Sequence, residues 1–357
     1  MGDTKFMKGN EAMAEAMIRA GCDAYFGYPI TPQSEVLEYL AREANARTGM
    51  VILQAESEVA AINMIYGAAG CGKRVMTTSS SPGISLMQEG LSYIASAQLP
   101  CLVANVNRGG PGLGTIQPAQ GDYFQAVKGG GHGDYHLIVL APSSVQEMVD
   151  FVKLGFELAE KYRCPAMMLT DGAVGQMMEK VTLFPQMERV ADRHYPWATT
   201  GKPVGQERRY ITSLFIQPEK MEGINKGLQE KYKQMQETEV MFQSFHLDDC
   251  EYLFTGFGLA ARICVKAMEM GRAKGYKIGL IRPQTLFPFP TKIYAEMAHK
   301  LKGILDVEMN AGQMVEDVRL SVNGQTRVEF YGRMGGMIPS PNEILEQFEN
   351  IYIKGAK

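Results

Sequence analysis

Four groups of residues carry side chains suited to chemistry: Tyr28-Pro29-Ile30-Thr31-Pro32, Glu56-Ser57-Glu58, Arg108, and the turn Thr77-Thr78-Ser79-Ser80-Ser81-Pro82-Gly83. An arginine grips a carboxylate with two parallel charge-assisted bonds. A threonine adds a hydrogen bond beside it, and a carboxylic acid holds or passes a proton. Hydroxyls such as those of Ser80 and Ser81, with backbone amides at a helix start, suit an anion. Each group also has a plainer use: Thr31 as a helix cap, Glu58 as a complement to a helix dipole, Arg108 paired with a surface carboxylate, the serines as a turn. Their common placement favours chemistry. All lie near the predicted carboxyl ends of strands or the helix starts that follow, where open α/β sheets bind ligands.

Alternating helical and strand patterns set up that placement. Asn10 caps a predicted helix that Gly21 ends, and Ala24-Tyr25-Phe26-Gly27 reads as a strand. Thr31-Pro32 has the N-cap and first-turn chemistry of the next helix. The rhythm continues with strand Val51-Ile52-Leu53, a small-residue helix from Glu58 to Gly67, strand Arg74 to Thr78, helix Ile84 to Ile94 and strand Cys101 to Val106. After a glycine-rich loop come strand Leu137 to Leu140, helix Ser144 to Ala159 and strand Ala166 to Leu169. Repeated β-α units predict an α/β fold with a mostly parallel, doubly wound sheet over residues 1–182. Residues 183–249, with Pro185, Pro196, Pro203 and Pro218 and a charged helical segment from Lys226 to Glu239, read as a connector. A second α/β domain is predicted over residues 250–357, from strand Glu251 to Phe254 to a helix after Pro341.

Composition narrows the function. At 357 residues the chain suits two domains, and its net charge of -3 argues against a general affinity for nucleic acid. No apolar run approaches the roughly 20 residues needed to cross a bilayer, and Met1 to Lys8 lacks the apolar core of a signal peptide, so the expected location is cytoplasmic. The six cysteines are scattered without any C-x-x-C, so this chain is expected to carry neither an iron-sulfur cluster nor a metal site.

Three glycine-rich stretches imitate nucleotide sites. Gly67-Ala68-Ala69-Gly70-Cys71-Gly72-Lys73-Arg74 has Arg74 where a phosphate loop needs Ser or Thr, and it follows a helix instead of preceding one. Gly256-Phe257-Gly258-Leu259-Ala260-Ala261 matches the dinucleotide pattern between a strand and a helix, but Ile281-Arg282-Pro283 stands where a ribose-binding acid belongs. In Gly109-Gly110-Pro111-Gly112-Leu113-Gly114, Pro111 removes a backbone donor that a phosphate cradle would use. A structural turn or loop is the expectation for all three.

Together these residues resemble the α subunits, or equivalent N-terminal domains, of thiamine-diphosphate-dependent 2-oxoacid:ferredoxin oxidoreductases. The Tyr28-Pro29-Ile30-Thr31-Pro32 stretch looks like that family's signature, and the resemblance gives Thr31 a contact with the oxoacid. Glu58, nine residues before Gly67, has the spacing of the cofactor-activating glutamate, which favours it over Glu56. Arg108 falls where the family holds the substrate carboxylate, and Tyr28, Pro29, Ile30, Glu58, Ser80 and Ser81 are the implied cofactor contacts. Val307 to Val318 and Phe330 to Met337 look most like the 2-ketoisovalerate branch. Relatives acting on 2-oxoglutarate tend to read Gly-Pro-Ser-Thr-Gly-Leu-Pro-Thr after the arginine, where this chain has Gly110-Pro111-Gly112-Leu113-Gly114-Thr115-Ile116-Gln117. The implied fold is a pyrimidine-type thiamine-diphosphate domain followed by a smaller transketolase C-terminal-like domain.

The implied reaction is coenzyme A-dependent oxidative decarboxylation of a 2-oxoacid with reduction of ferredoxin. Thiamine diphosphate becomes a nucleophile when its thiazolium C2 loses a proton to its own aminopyrimidine, aided by a carboxylic acid at the ring N1′. Glu58 is suited to that position. No Gly-Asp-Gly motif for the diphosphate and its magnesium occurs here; Thr170-Asp171-Gly172 is the nearest approach. A β subunit is therefore expected to hold the diphosphate and magnesium, with γ and iron-sulfur δ subunits completing a hetero-oligomer that is inactive without its partners. Two other readings stay open: a 2-oxoglutarate, transketolase or dehydrogenase-type thiamine subunit, and a nucleotide-binding regulatory protein built around Gly256 to Ala261.

Overall fold

The computed structural model describes residues 3–190, 193–202 and 204–355. The readings placed on Met1, Gly2 and Pro203 lie outside them.

Up to residue 183 the order is β1 (Asp3–Lys8), α1 (Gly9–Arg19), β2 (Ala24–Gly27), α2 (Ser34–Thr48), β3 (Val51–Gln54), α3 (Glu58–Gly70), β4 (Val75–Ser79), α4 (Ser81–Ser96), β5 (Cys101–Asn107), α5 (Tyr123–Val127), β6 (Ile138–Leu140), α6 (Val145–Tyr162), β7 (Pro165–Asp171), α7 (Gly172–Gln176) and β8 (Met178–Leu183). Strands β4, β5, β6 and β7 are buried at every position, as strands must be when helices cover both faces of a parallel sheet. The capping signals act locally. Ser57 starts α3 by accepting the Ala60 N–H at 3.2 Å, Ser144 starts α6 through the Glu147 N–H at 3.2 Å, and Gly49 ends α2 in the left-handed region.

The rest comprises α8 (Pro218–Thr238), β9 (Phe242–Phe245), β10 (Tyr252–Thr255), α9 (Gly258–Ala273), β11 (Ile278–Pro283), β12 (Thr285–Phe287), α10 (Thr291–Ala298), β13 (Gly303–Glu308), α11 (Met314–Val322), β14 (Val328–Gly332) and α12 (Pro341–Phe348), which runs on into a π-helical turn. The larger sheet has the order β12-β6-β7-β5-β4-β2-β3 and is parallel apart from β12. The second is β14-β13-β10-β11-β9, with β9 antiparallel at its edge. Thus β9, from the segment read as a connector, and β12, from the C-terminal part, each complete a sheet: β9 the second and β12 the first. Strands β1 and β8 pair antiparallel with each other and were not foreseen.

Two local expectations are corrected. Asn10 does not cap α1, which begins at Gly9; its amide instead donates to the Pro32 carbonyl at 2.8 Å and to Glu35 at 3.0 Å. Thr31 does not cap α2 either. That helix begins at Ser34 with Gln33 in the cap position, and the Thr31-Pro32 bond is cis.

Candidate active site

Glu58 is the first helical residue of α3, so the Ser57 cap fixes where its side chain leaves the backbone. It is only 5% exposed. Glu56 is exposed and accepts the Ser57 hydroxyl at 2.9 Å, a surface role that leaves the interior to Glu58. Across from Glu58 lies the start of α4, where a methyl built on Gly83 would overlap both Ser79 Oγ and Glu58 Oε1. Glycine at that position therefore creates the space the Glu58 carboxyl occupies. Ser79 Oγ is buried there and Ser80 Oγ on the next residue is buried too, both without a hydrogen-bond partner among the described residues, and such buried hydroxyls are costly unless something accepts or donates to them.

Arg108 follows β5 and is 9% exposed. Its Nη1 donates to the Thr31 carbonyl at 2.9 Å and its Nη2 to the Leu113 carbonyl at 3.1 Å, while Nε is buried without a partner. No carboxylate pairs with it among the described residues, so the plainer use of Arg108, pairing with a surface carboxylate, is not what the structure shows. A largely buried guanidinium facing only neutral acceptors keeps an uncompensated charge, which favours an incoming anion. The backbone N–H of Arg108 donates to Ser81 Oγ at 3.1 Å, and that hydroxyl lies 3.3 Å from Asn107 Oδ1. Nδ2 of Asn107 is another orphaned donor.

Tyr28, Pro29 and Thr31 are exposed on the loop between β2 and α2, with Ile30 half-buried. Gln33 anchors this loop: its N–H donates to the Ile30 carbonyl at 3.0 Å, and its side-chain oxygen accepts the Thr78 hydroxyl at 2.5 Å. Thr78 also meets the Tyr25 hydroxyl at 2.8 Å. The fold thus joins Thr31 to Arg108, Arg108 to Ser81, and Ser79 and Gly83 to Glu58. Gln33, Asn105 and Asn107 were missed by sequence reasoning, which included Gly83 only as the end of the turn from Thr77. Asn105-Val106-Asn107 carried a legible signal, two alternate polar residues closing an otherwise apolar strand.

The three glycine-rich decoys are structural. Arg74 forms a two-pronged pair with Glu160 at 2.6 and 2.7 Å. Gly258 opens α9 with φ +52°, and protein groups fill the space at that helix start: Gln120 donates to the Phe257 carbonyl at 2.8 Å, and Asp171 accepts from the backbone of Leu259. The loop after Arg108 closes on itself through Thr115 N–H to the Gly109 carbonyl at 2.8 Å. Among the described residues no group of three or more His, Cys, Asp or Glu is arranged to hold a metal, and no helix is long and apolar enough to cross a membrane.

Residues 15–243 match the family described as pyruvate flavodoxin/ferredoxin oxidoreductase, thiamine diphosphate-binding, and residues 250–344 match pyruvate:ferredoxin oxidoreductase core domain II. The chain belongs to this oxidoreductase family. Its N-terminal part is the family's thiamine-diphosphate-binding domain. The ketoisovalerate oxidoreductase subunit VorB of Methanothermobacter thermautotrophicus is 47% identical over 98% of both chains. The 2-oxoglutarate synthase subunit KorA of Methanothermobacter marburgensis is 36% identical over 97% of this chain and 99% of the relative. Among solved structures, the 2-oxoglutarate:ferredoxin oxidoreductase of Magnetococcus marinus, with 2-oxoglutarate, coenzyme A and succinyl-CoA bound, superposes with a TM-score of 0.85 at 26% identity. That match covers 98% of this chain and 65% of the solved one. A split-gene transketolase, with a TM-score of 0.60 at 12% identity, shares the fold alone.

Proposed function

We propose that the chain is the α subunit of a 2-oxoacid:ferredoxin oxidoreductase that oxidatively decarboxylates 2-ketoisovalerate, transferring the acyl group to coenzyme A and the electrons to ferredoxin. The observation that carries the reading is the buried Arg108, which faces backbone carbonyls and, among the described residues, no carboxylate, beside the exposed Thr31. On this reading Arg108 holds the oxoacid carboxylate, Thr31 adds a hydrogen bond at the same end, and Glu58 holds the aminopyrimidine of thiamine diphosphate. The buried, unpartnered hydroxyls of Ser79 and Ser80 and the space left by Gly83 fit that group. Tyr28, Pro29, Ile30 and Ser81 complete the cofactor wall. When bound, thiamine diphosphate supplies the nucleophilic carbon that adds to the oxoacid carbonyl.

Two features support a branched-chain substrate over 2-oxoglutarate. Identity to the ketoisovalerate subunit exceeds that to the 2-oxoglutarate subunits. The loop gripped by Arg108 also exposes Leu113 and Ile116, apolar surface that suits an alkyl tail and offers nothing to a second carboxylate.

The pyrimidine-type domain of residues 1–182, the connector 183–249 and the C-terminal-like domain 250–357 would then form one side of a shared site. A β subunit would hold the diphosphate and magnesium, and γ and δ subunits would bring the iron-sulfur clusters. The test is purification of the chain with whatever it binds, followed by viologen reduction with 2-ketoisovalerate, 2-oxoglutarate and pyruvate in the presence of coenzyme A. The expected result is an iron-containing complex that prefers 2-ketoisovalerate. Full activity of the lone chain, or preference for 2-oxoglutarate, refutes the assignment.

A further inference from the structure

Asp122 stands in the N-cap position of α5 but makes no capping bond to that helix. An aspartate normally caps when placed there. Its carboxylate turns the other way, accepting the Asn105 Nδ2–H at 2.8 Å. Burial pushes its pKa up, with the nearby Ser81 hydroxyl and Asn105 amide opposing that rise.

Asn105 in turn holds the start of α4 and, through Ser81, the backbone of Arg108. Because Nδ2 of Asn105 is committed to Asp122, Oδ1 of Asn105 faces the Ser81 N–H and accepts it at 3.2 Å. The Ser81 hydroxyl donates toward Asn107 Oδ1 at 3.3 Å and the Arg108 carbonyl at 3.1 Å. Its lone pairs remain to accept the Arg108 N–H at 3.1 Å.

The turn that carries Asp122 is gripped by the second sheet's domain. Gln120 exchanges bonds with the backbone of Met309 at 3.0 Å in both directions, and Asn310 donates to the Gln120 carbonyl at 2.8 Å. Gln313 donates to the Gly121 carbonyl and accepts the Phe124 N–H, both at 2.8 Å. Tyr123 donates to Asp317 at 2.5 Å. Residues on both sides of Asp122 are thus fixed by the C-terminal part of the chain, while Asp122 alone points back into the N-terminal site.

We propose that Asp122 is a positioning residue for the carboxylate-gripping end of the site, and that the C-terminal domain serves the reaction by holding the turn from Gln120 to Phe124 so that Asp122 orients Asn105 and, through it and Ser81, Arg108. This rests on the reading of Arg108 as the oxoacid clamp. Asp122 touches neither substrate nor cofactor; it sets the geometry of the groups that do.

The test uses the assembled complex. Asp122→Asn keeps the size and removes the charge that fixes the Asn105 amide; Gln313→Ala, at a half-buried position, loosens the turn without touching the site. Both should raise KM for the 2-oxoacid, by about tenfold and about threefold respectively, the scale of one lost charge-assisted bond. Under both, kcat should change less than threefold, and thiamine diphosphate affinity, by calorimetry, should be unchanged. Arg108→Lys is run beside them. If Arg108→Lys raises KM but neither other variant does, the positioning role is wrong and the clamp stands. If Arg108→Lys leaves KM unmoved, the clamp itself is wrong. A fall in kcat and thermal midpoint at constant KM in both Asp122→Asn and Gln313→Ala would reduce Asp122 to a packing residue and overturn the proposal.

Discussion

Gly83 and Glu58 share one small volume: a methyl on Gly83 would lie 3.0 Å from the Glu58 carboxyl carbon and closer still to Oε1. Both residues sit at helix starts, Glu58 on α3 and Gly83 in the first turn of α4, so neither backbone can retreat without shifting its helix. Gly83→Ala should therefore move the Glu58 carboxyl, although alanine itself favours the helix by roughly 0.5 to 1 kcal/mol. Overpacking of this kind costs about 1 to 3 kcal/mol. The expected outcome is at least a tenfold slower deuterium exchange at C2 of the bound cofactor, with the helical content of the chain retained. Unchanged exchange would mean that the Glu58 carboxyl is not where the reaction needs it.

Glu58→Gln tests the same residue without changing the packing. Glutamine fills the same space but cannot serve as a carboxylic acid toward the aminopyrimidine. Assembly of the complex should survive, since Glu58 makes no ion pair among the described residues. C2 exchange should fall about 10²-fold or more, the usual scale of acid-base assistance. If exchange in this variant matches the parent, the acid lies elsewhere, with Glu56 the first alternative to examine.

How much of this site could be read in the sequence depended on how local each signal was. Glu58 was singled out by the resemblance's glutamate-to-glycine spacing, which lies within one helix, and the structure places it buried at the start of α3. Arg108 was singled out by its place after a strand, and it is largely buried there. Thr31 was misread as a cap because Thr-Pro carries the same local signal whether or not a helix follows at once; the helix waits until Ser34. Pairings such as β1 with β8 and β12 with β6 join residues far apart in the chain, and a short strand carries no mark of its distant partner. Asp122 fell in the same class, since its meaning comes from Asn105 and Ser81 on other elements.

Arg74 separates structure from function at the stretch that imitates a phosphate loop. Its guanidinium is paired twice with Glu160 and donates to the Ala20 carbonyl at 2.5 Å, with Arg74 and Glu160 side chains 11% and 22% exposed. Removing one partner of such a pair leaves the other desolvated and alone. Arg74→Ala should cost about 2 to 3 kcal/mol of stability, toward the low end for buried pairs because both side chains keep some solvent. Thermal unfolding of the chain should show the loss, while KM for the oxoacid in the assembled complex stays within about twofold of the parent. A large KM change with normal stability would restore a ligand-binding role to that loop.

Asp171 provides the pH dependence. Its carboxylate is fully buried at the end of β7, where Oδ1 accepts the N–H groups of Ala173 at 2.9 Å and Val174 at 3.1 Å. Burial raises its pKa from 3.8 to about 6, the bonds from Val174, Ala173 and Leu259 opposing that rise. Between those values the folded chain holds a proton that the unfolded chain has released, so stability falls as pH rises through the window and the penalty is complete above about 6. A shift of that size corresponds to at most about 3 kcal/mol. Asp171→Asn keeps an oxygen to cap α7 and removes the ionisation. The melting temperature of Asp171→Asn relative to the parent should therefore climb from about pH 4 to about pH 6 and then level off. A difference that stays constant with pH would show that Asp171 is ionised in the folded chain throughout, held charged by the three backbone donors despite its burial.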